Sequence, residues 1–295
     1  MPASSLHAIG FALLISQATF ASEAGDHAVP AATGGMPLHV DAAGRLEADV
    51  TLDGKGPFRF TVDTASNGAV LSQAVAGHLR FRAGDAKRVV GGIGRASSQS
   101  VSIDDYRTAL FDRHDESMAL LPSLSTDGIL GMSPFAQQRI EFDLAGHALR
   151  AGSSGPTPEG FASQPGELRH GILVVGVVID GVRAQAVIDT GAPYNIGNPQ
   201  LQARLGFVMG DLRLSPGGTF TDTFGQEREV QQATLGRIGI GSIAFSSPTV
   251  RFADMPIFRA LGLDDGPALI LGVEQLSHME AIAIDFPRAE LQMRP

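Results

Sequence analysis

Cysteine and tryptophan are both absent from this chain. Without a thiol there is no disulfide, no thiolate metal site, no Cys-His nucleophile and no lipidated cysteine, so the fold must hold by packing alone. Two tyrosines against sixteen phenylalanines make the expected core aliphatic and phenylalanine-rich. Charge is sparse at 18% and its balance is acidic, −9 overall, with no basic run beside an amphipathic helix. A nucleic-acid partner is therefore not expected, nor a basic membrane-surface helix. The eight histidines are scattered from His7 to His278 without a ligand-like pair, which argues against zinc. No Gly-x-Ser-x-Gly elbow occurs. The one long apolar stretch, residues 8–20, is too short to cross a bilayer and stands at the N-terminus ahead of Ala21, Ser22 and Ala24. It reads as a secretory signal over residues 1–24, so the protein is expected to be exported, periplasmic or secreted, with no membrane span once the signal is removed.

What the chain has in quantity is glycine (36) and proline (17), within 295 residues of which 43% are hydrophobic. That profile predicts an all-β protein rich in turns, long enough for two domains. It is also duplicated. Val50–Asp63 and Val177–Asp189 each read as a strand, an Asp-Gly turn and a second strand, a strong hairpin signal. Each leads into an acid, a threonine and small residues: Asp63-Thr64-Ala65-Ser66 and Asp189-Thr190-Gly191-Ala192. The two acids are 126 positions apart, and glycine pairs recur at the same offset, Gly91-Gly92 and Gly217-Gly218. Ile129-Leu130-Gly131 and Ile270-Leu271-Gly272 follow, each before an alternating strand that carries a further acid, Asp143 or Asp285. The latter pair reads as structural. Helical spacing predicts one short helix over Ser72–Leu79 and another over Pro199–Gly206. A first lobe is expected over residues 36–150, an exposed Gly/Ser/Pro linker over 151–167, and a second lobe over 168–295.

These motifs resemble the retropepsin/pepsin group of aspartic peptidases, in particular bacterial retropepsin-like proteins with two lobes in one chain. The resemblance covers nearly all of the chain after the signal. It implies two β-barrel-like lobes with a cleft between them and an endopeptidase in which Asp63 and Asp189 activate a water between their carboxylates. It implies no metal and no cofactor. Two acids held close cannot both ionise cheaply, so the pair is expected to share a proton and to work on the acidic side. By the same resemblance, the Thr64 and Thr190 hydroxyls cross-link the two loops, and backbone N–H groups around Ala65 and Gly191 donate to the carboxylates. The glycine pairs Gly91-Gly92 and Gly217-Gly218 are flap candidates, closing over a polypeptide substrate in extended conformation. Ala65 stands where the family has glycine, so its methyl is expected to crowd the loop, with a further cost if φ is positive there. Ser66 opposite Ala192 leaves a hydroxyl beside Asp63 alone, which marks Asp63 as the readier base. A monomer is expected. Two other readings stand beside the endopeptidase: a weak or inactive pseudo-peptidase serving as an exported peptide-binding module, and a protein whose second lobe alone works, as a dimer.

Overall fold

The computed structural model describes residues 13–14, 35–79, 81–90, 95–208, 210–221, 224 and 226–295. Strand makes up 52% and helix 10%, so the chain is all-β as its turn-rich sequence predicts. The expected signal, residues 1–24, lies outside the described residues except for the backbone of one two-residue strand.

The first half contributes β1 (Leu13–Leu14), β2 (Met36–Pro37), β3 (His39–Val40), β4 (Leu46–Leu52), β5 (Lys55–Val62), β6 (Val70–Ser72), β7 (Arg82–Val90), β8 (Arg95–Arg107), β9 (Asp112–Leu121) and β10 (Gly128–Leu130). Hydrogen bonds run in the order β4-β5-β10-β6-β9-β8, and β8 returns to β4 through Thr51 opposite Arg107 and Leu52 opposite Tyr106. This closes a six-stranded barrel. Closure depends on the length of β8: its start pairs with β7 in a hairpin, and its end reaches β4. Alternation decides which face fills the barrel, as β4 buries Leu46, Ala48, Val50 and Leu52 while its intervening residues face outward.

Two strands, β11 (Arg139–Asp143) and β12 (Ala148–Gly152), leave the barrel, and β13 (Ala162–Arg169) opens the second half. There follow β14 (Ile172–Ile179), β15 (Val182–Ile188), β16 (Ile196–Gly197), β17 (Ser215–Thr221), β18 (Glu227–Thr234), β19 (Arg237–Ile240), β20 (Ile243–Ser246), β21 (Thr249–Phe252), β22 (Ala268–Leu271), β23 (Ala281–Asp285) and β24 (Glu290–Arg294). The pattern of the first half recurs in the order β14-β15-β22-β16-β21-β18-β17. Its closing strand is split, however: β18 pairs with β17 and β21, and only beyond Gly236 does β19 reach β14.

Through β13, which pairs with β14 as well as β24, the sheet of the second half continues into an antiparallel run, β13-β24-β23-β11-β12-β2, that joins the halves. At its centre β11 and β23, the terminal strands of the two repeats, place Ile140 opposite Ile284 and Phe142 opposite Ile282, all buried. The segment 151–167 is tied into this layer. Ala162–Pro165 pairs with β24, and Ser154 and Thr157 donate to Asp285 and Glu290. Asp143 and Asp285 end their strands as turn acceptors, Asp143 for Gly146 N and Asp285 for Arg288 N.

The helices are short: α1 (Gln73–His78), α2 (Pro199–Arg204), α3 (Pro256–Ala260) and α4 (Val273–Leu276). The first two fall where helical spacing placed them, capped by Ser72, which accepts from Val75 N, and by Asn198, which accepts from Leu201 N. Among the described residues no helix is long and apolar enough to cross a membrane.

Candidate active site

Each acidic loop is reached through its hairpin. At both turns the Asp-Gly pair has positive φ, 49° and 71° at Asp53-Gly54 and 46° and 83° at Asp180-Gly181, as a type I′ turn requires. The turn aspartates then anchor the hairpin tips, Asp53 accepting from Asp105 N at 2.9 Å and Asp180 from Gly236 N and Arg237 N at 2.9 and 2.7 Å. The second strand of each hairpin runs parallel to the apolar-apolar-Gly strand, β5 beside β10 and β15 beside β22. Asp63 N donates to Leu130 O and Asp189 N to Leu271 O, both at 3.0 Å, so the two acids leave their strands in the same way.

The glycines behind the loops have a steric reason. A Cβ on Gly131 would stand 2.4 Å from Gly68 O, and one on Gly272 2.4 Å from Tyr194 O. Backbone thus presses on backbone, and Met132 N to Ser66 O and Val273 N to Ala192 O close the contact at 2.8 and 2.9 Å.

The two loops meet through their threonines. Thr64 Oγ1 donates to Ile188 O at 2.7 Å while accepting from Thr190 N at 3.0 Å; Thr190 Oγ1 donates to Val62 O at 2.6 Å while accepting from Thr64 N at 3.1 Å. Four buried hydrogen bonds therefore hold Asp63 and Asp189 side by side. Each carboxylate receives backbone N–H groups on Oδ1, from Ala65 to Asp63 and from Gly191 and Ala192 to Asp189, at 2.8–2.9 Å. Oδ2 of each acid is buried and has no hydrogen-bond partner, which leaves these two oxygens for a shared proton and a polar reactant.

Gly191 and Ala65 hold corresponding places with unequal tolerance. A Cβ on Gly191 would lie 2.6 Å from the Asp63 carboxyl carbon. Ala65 is fully buried, its φ is not positive, and its methyl joins an apolar cluster with Val90, Ala192, Phe220, Ile257 and Phe258. The expected backbone strain at Ala65 is thus absent, and the methyl finds apolar company contributed by both halves.

That enclosure sets the electrostatics. Both acids are fully buried, and desolvation pushes Asp63 up to about 7, opposed by the Ala65 N–H, by Asp189 and by the Arg45 guanidinium. Asp189 is likewise raised well above the ordinary carboxylate value, first by desolvation and then by the charge of Asp63, so the two cannot both ionise cheaply. The Ser66 hydroxyl has a smaller part in this than the sequence suggested: it donates to Gly68 O at 2.9 Å, and it is the Ser66 N–H that favours charge on Asp63. Burial of both acids also carries the singly charged state of the pair upward from the acidic range expected of solvated carboxyls.

Only the second of the two flap candidates falls within the described residues. Gly91 and Gly92 lie outside the described residues. Gly217 and Gly218 are inside β17 at a bulge between Pro216 and Thr219, with Gly218 at φ +87°, rather than at the turn between β17 and β18.

Among the described residues, Asp105, Asp112 and His114 could gather a cation, but Arg107 already bridges the two aspartates at 3.1 and 3.0 Å. Three residues near the loops escaped sequence reading. Arg45, 2% exposed and held by Asp41 and Ser125, lowers the pKa of Asp63. Asn195 accepts from Gly272 N, and Arg251 stacks on Tyr194. The Asp41…Arg45 spacing across a turn was the available signal for the first.

Two duplicated β-lobes whose Asp-Thr loops are bonded to each other define the architecture of a two-lobed aspartic peptidase. The sequence profile of the aspartyl protease family matches residues 48–133 and 175–274, more than half of the chain. The protein belongs to that family. No curated protein matches it.

Proposed function

We propose that this protein is an aspartic endopeptidase in which Asp63 and Asp189 form one catalytic pair. The observation that carries the reading is the reciprocal Thr64–Thr190 bonding, which holds two buried carboxyls together with an unpartnered oxygen on each. Charged Asp63 takes a proton from water as the water oxygen adds to the scissile carbonyl carbon. Protonated Asp189 hydrogen-bonds and then protonates the carbonyl oxygen. Collapse of the resulting diol breaks the C–N bond: the proton held by Asp63 passes to the leaving nitrogen, and one diol hydroxyl returns its proton to Asp189, restoring the singly charged pair. An extended polypeptide lying between the β7–β8 and β17–β18 hairpins is the substrate geometry this arrangement suits, in a monomer exported by the apolar N-terminal segment.

Initial rates on a mixed peptide library for Asp63→Asn, Asp189→Asn and the double variant test the proposal. Each single change should abolish turnover as fully as both together, because one proton-sharing unit is destroyed either way. Activity retained in Asp63→Asn contradicts it. The wild-type rate should be bell-shaped in pH and centred above the acidic range of solvated carboxyls, since desolvation raises both groups.

A second reading, a peptide-binding pseudo-peptidase, draws on Ala65 and on the complete burial of both acids. It predicts no turnover in the wild type or in Ala65→Gly, with peptide still bound.

A further inference from the structure

Arg251 is a buried cation with no counterpart in the first half. In β16 and β21, Ile196 is the register partner of Arg251; in β6 and β9, Val70 is the register partner of Ala119. The strands correspond, so one half has a methyl where the other has a guanidinium. Ala119 packs with Val70, Val89, Leu121 and Ile129, and Val89 belongs to β7, so the first hairpin is fastened to its barrel by apolar contact.

In the second half Phe220 and Val230 of the hairpin also pack into an apolar cluster, and a polar fastening is added to it. The Arg251 guanidinium carbon lies 3.6 Å from the centre of the Tyr194 ring, Nε donates to Gly217 O at 3.3 Å, and Nη1 stands 3.4 Å from Glu274 Oε2. Its backbone N–H donates to Asn195 O at 2.9 Å. Tyr194 follows the Asp189 loop by two residues, Gly217 lies at the β17 bulge, and Glu274 belongs to α4, whose N–H bonds Pro193 O. One side chain therefore touches the hairpin, the active loop and the helix behind it. With Arg251 only 8% exposed, its cation–π contact is largely desolvated, which strengthens it.

We propose that Arg251 is a positioning residue that fastens the β17–β18 hairpin to the loop carrying Asp189 and so, on the peptidase reading above, sets how firmly that hairpin holds an extended peptide.

The test combines amide hydrogen exchange with kcat and KM on one cleaved peptide, for wild type, Arg251→Met, Arg251→Lys and Tyr194→Leu. Arg251→Met and Tyr194→Leu should each speed exchange across 227–232 by about tenfold, the size of a lost desolvated cation–π contact, with β7–β8 unchanged. KM should rise by a similar factor, with kcat altered by less than about twofold. Arg251→Lys should fall between, keeping the charge but losing the planar stack. Unchanged exchange in folded Arg251→Met overturns the proposal; if that variant fails to fold, Tyr194→Leu decides on the same criterion. Should the wild type cleave nothing while hairpin exchange still responds, the fastening stands and the peptidase reading falls.

Discussion

At the scale of single residues, the two acids are held against their own electrostatics. An acid whose pKa is raised by folding stabilises the fold while it stays protonated: the contribution is complete below the unfolded pKa and is lost as pH climbs through the folded one. For Asp63 that window runs from the ordinary 3.8 to about 7. The wild type should therefore lose stability over this range relative to the Asp63→Asn/Asp189→Asn double variant, which has no dyad proton to release. Melting curves at pH 4 and pH 7 measure it. The gap in Tm should widen with pH, by about 2–4 °C for each kcal/mol, and a gap that stays flat or narrows counts against the raised values. The acids and their threonines were readable from sequence because each repeats at one offset. Arg45 had only its spacing from Asp41 to mark it and Arg251 nothing, since both are features of one half alone and a duplication directs attention to what recurs.

At the scale of elements, the apolar-apolar-Gly strand shows why a residue type is demanded. Gly131 faces three backbone atoms within 2.8 Å of where a Cβ would lie. Gly131→Ala should destabilise the protein by about 1–3 kcal/mol, the usual range for an overpacked site, because backbone cannot step aside as a side chain can. Gly176, inside β14 with open space at its Cβ, is the control: Gly176→Ala should be neutral or slightly stabilising. Urea denaturation of both variants checks the contrast, and equal losses would refute the steric account. Asp-Gly turns, both short helices and the two hairpins could be placed from the sequence because turn chemistry and periodicity are local. The register of β17 could not, because the bulge at Pro216 depends on its pairing with β18, as does the distance from Gly217 to the turn.

At the scale of the whole molecule, the halves are joined by the β11–β23 pairing at the base, by the Thr64–Thr190 bonds at the acids and by the apolar cluster around Ala65. Sequence spacing announced two lobes but not that β13, starting inside the 151–167 segment, would pair with the last strand, since such a contact spans well over a hundred residues. Neither acid loop is complete alone, because each threonine hydroxyl satisfies the backbone of the opposite half. The central claim is accordingly that Asp63 and Asp189 titrate as one unit. Carbon-13 NMR of the aspartate carboxyls across pH, in the wild type and in Asp189→Asn, tests it most directly. In the wild type both carboxyls should follow two shared steps, each displaced above the ordinary aspartate value of about 3.9, and Asp189→Asn should collapse the Asp63 curve to a single step at a different pH. Two independent single-step curves near that ordinary value, with Asp63 unmoved by the substitution, would contradict the account.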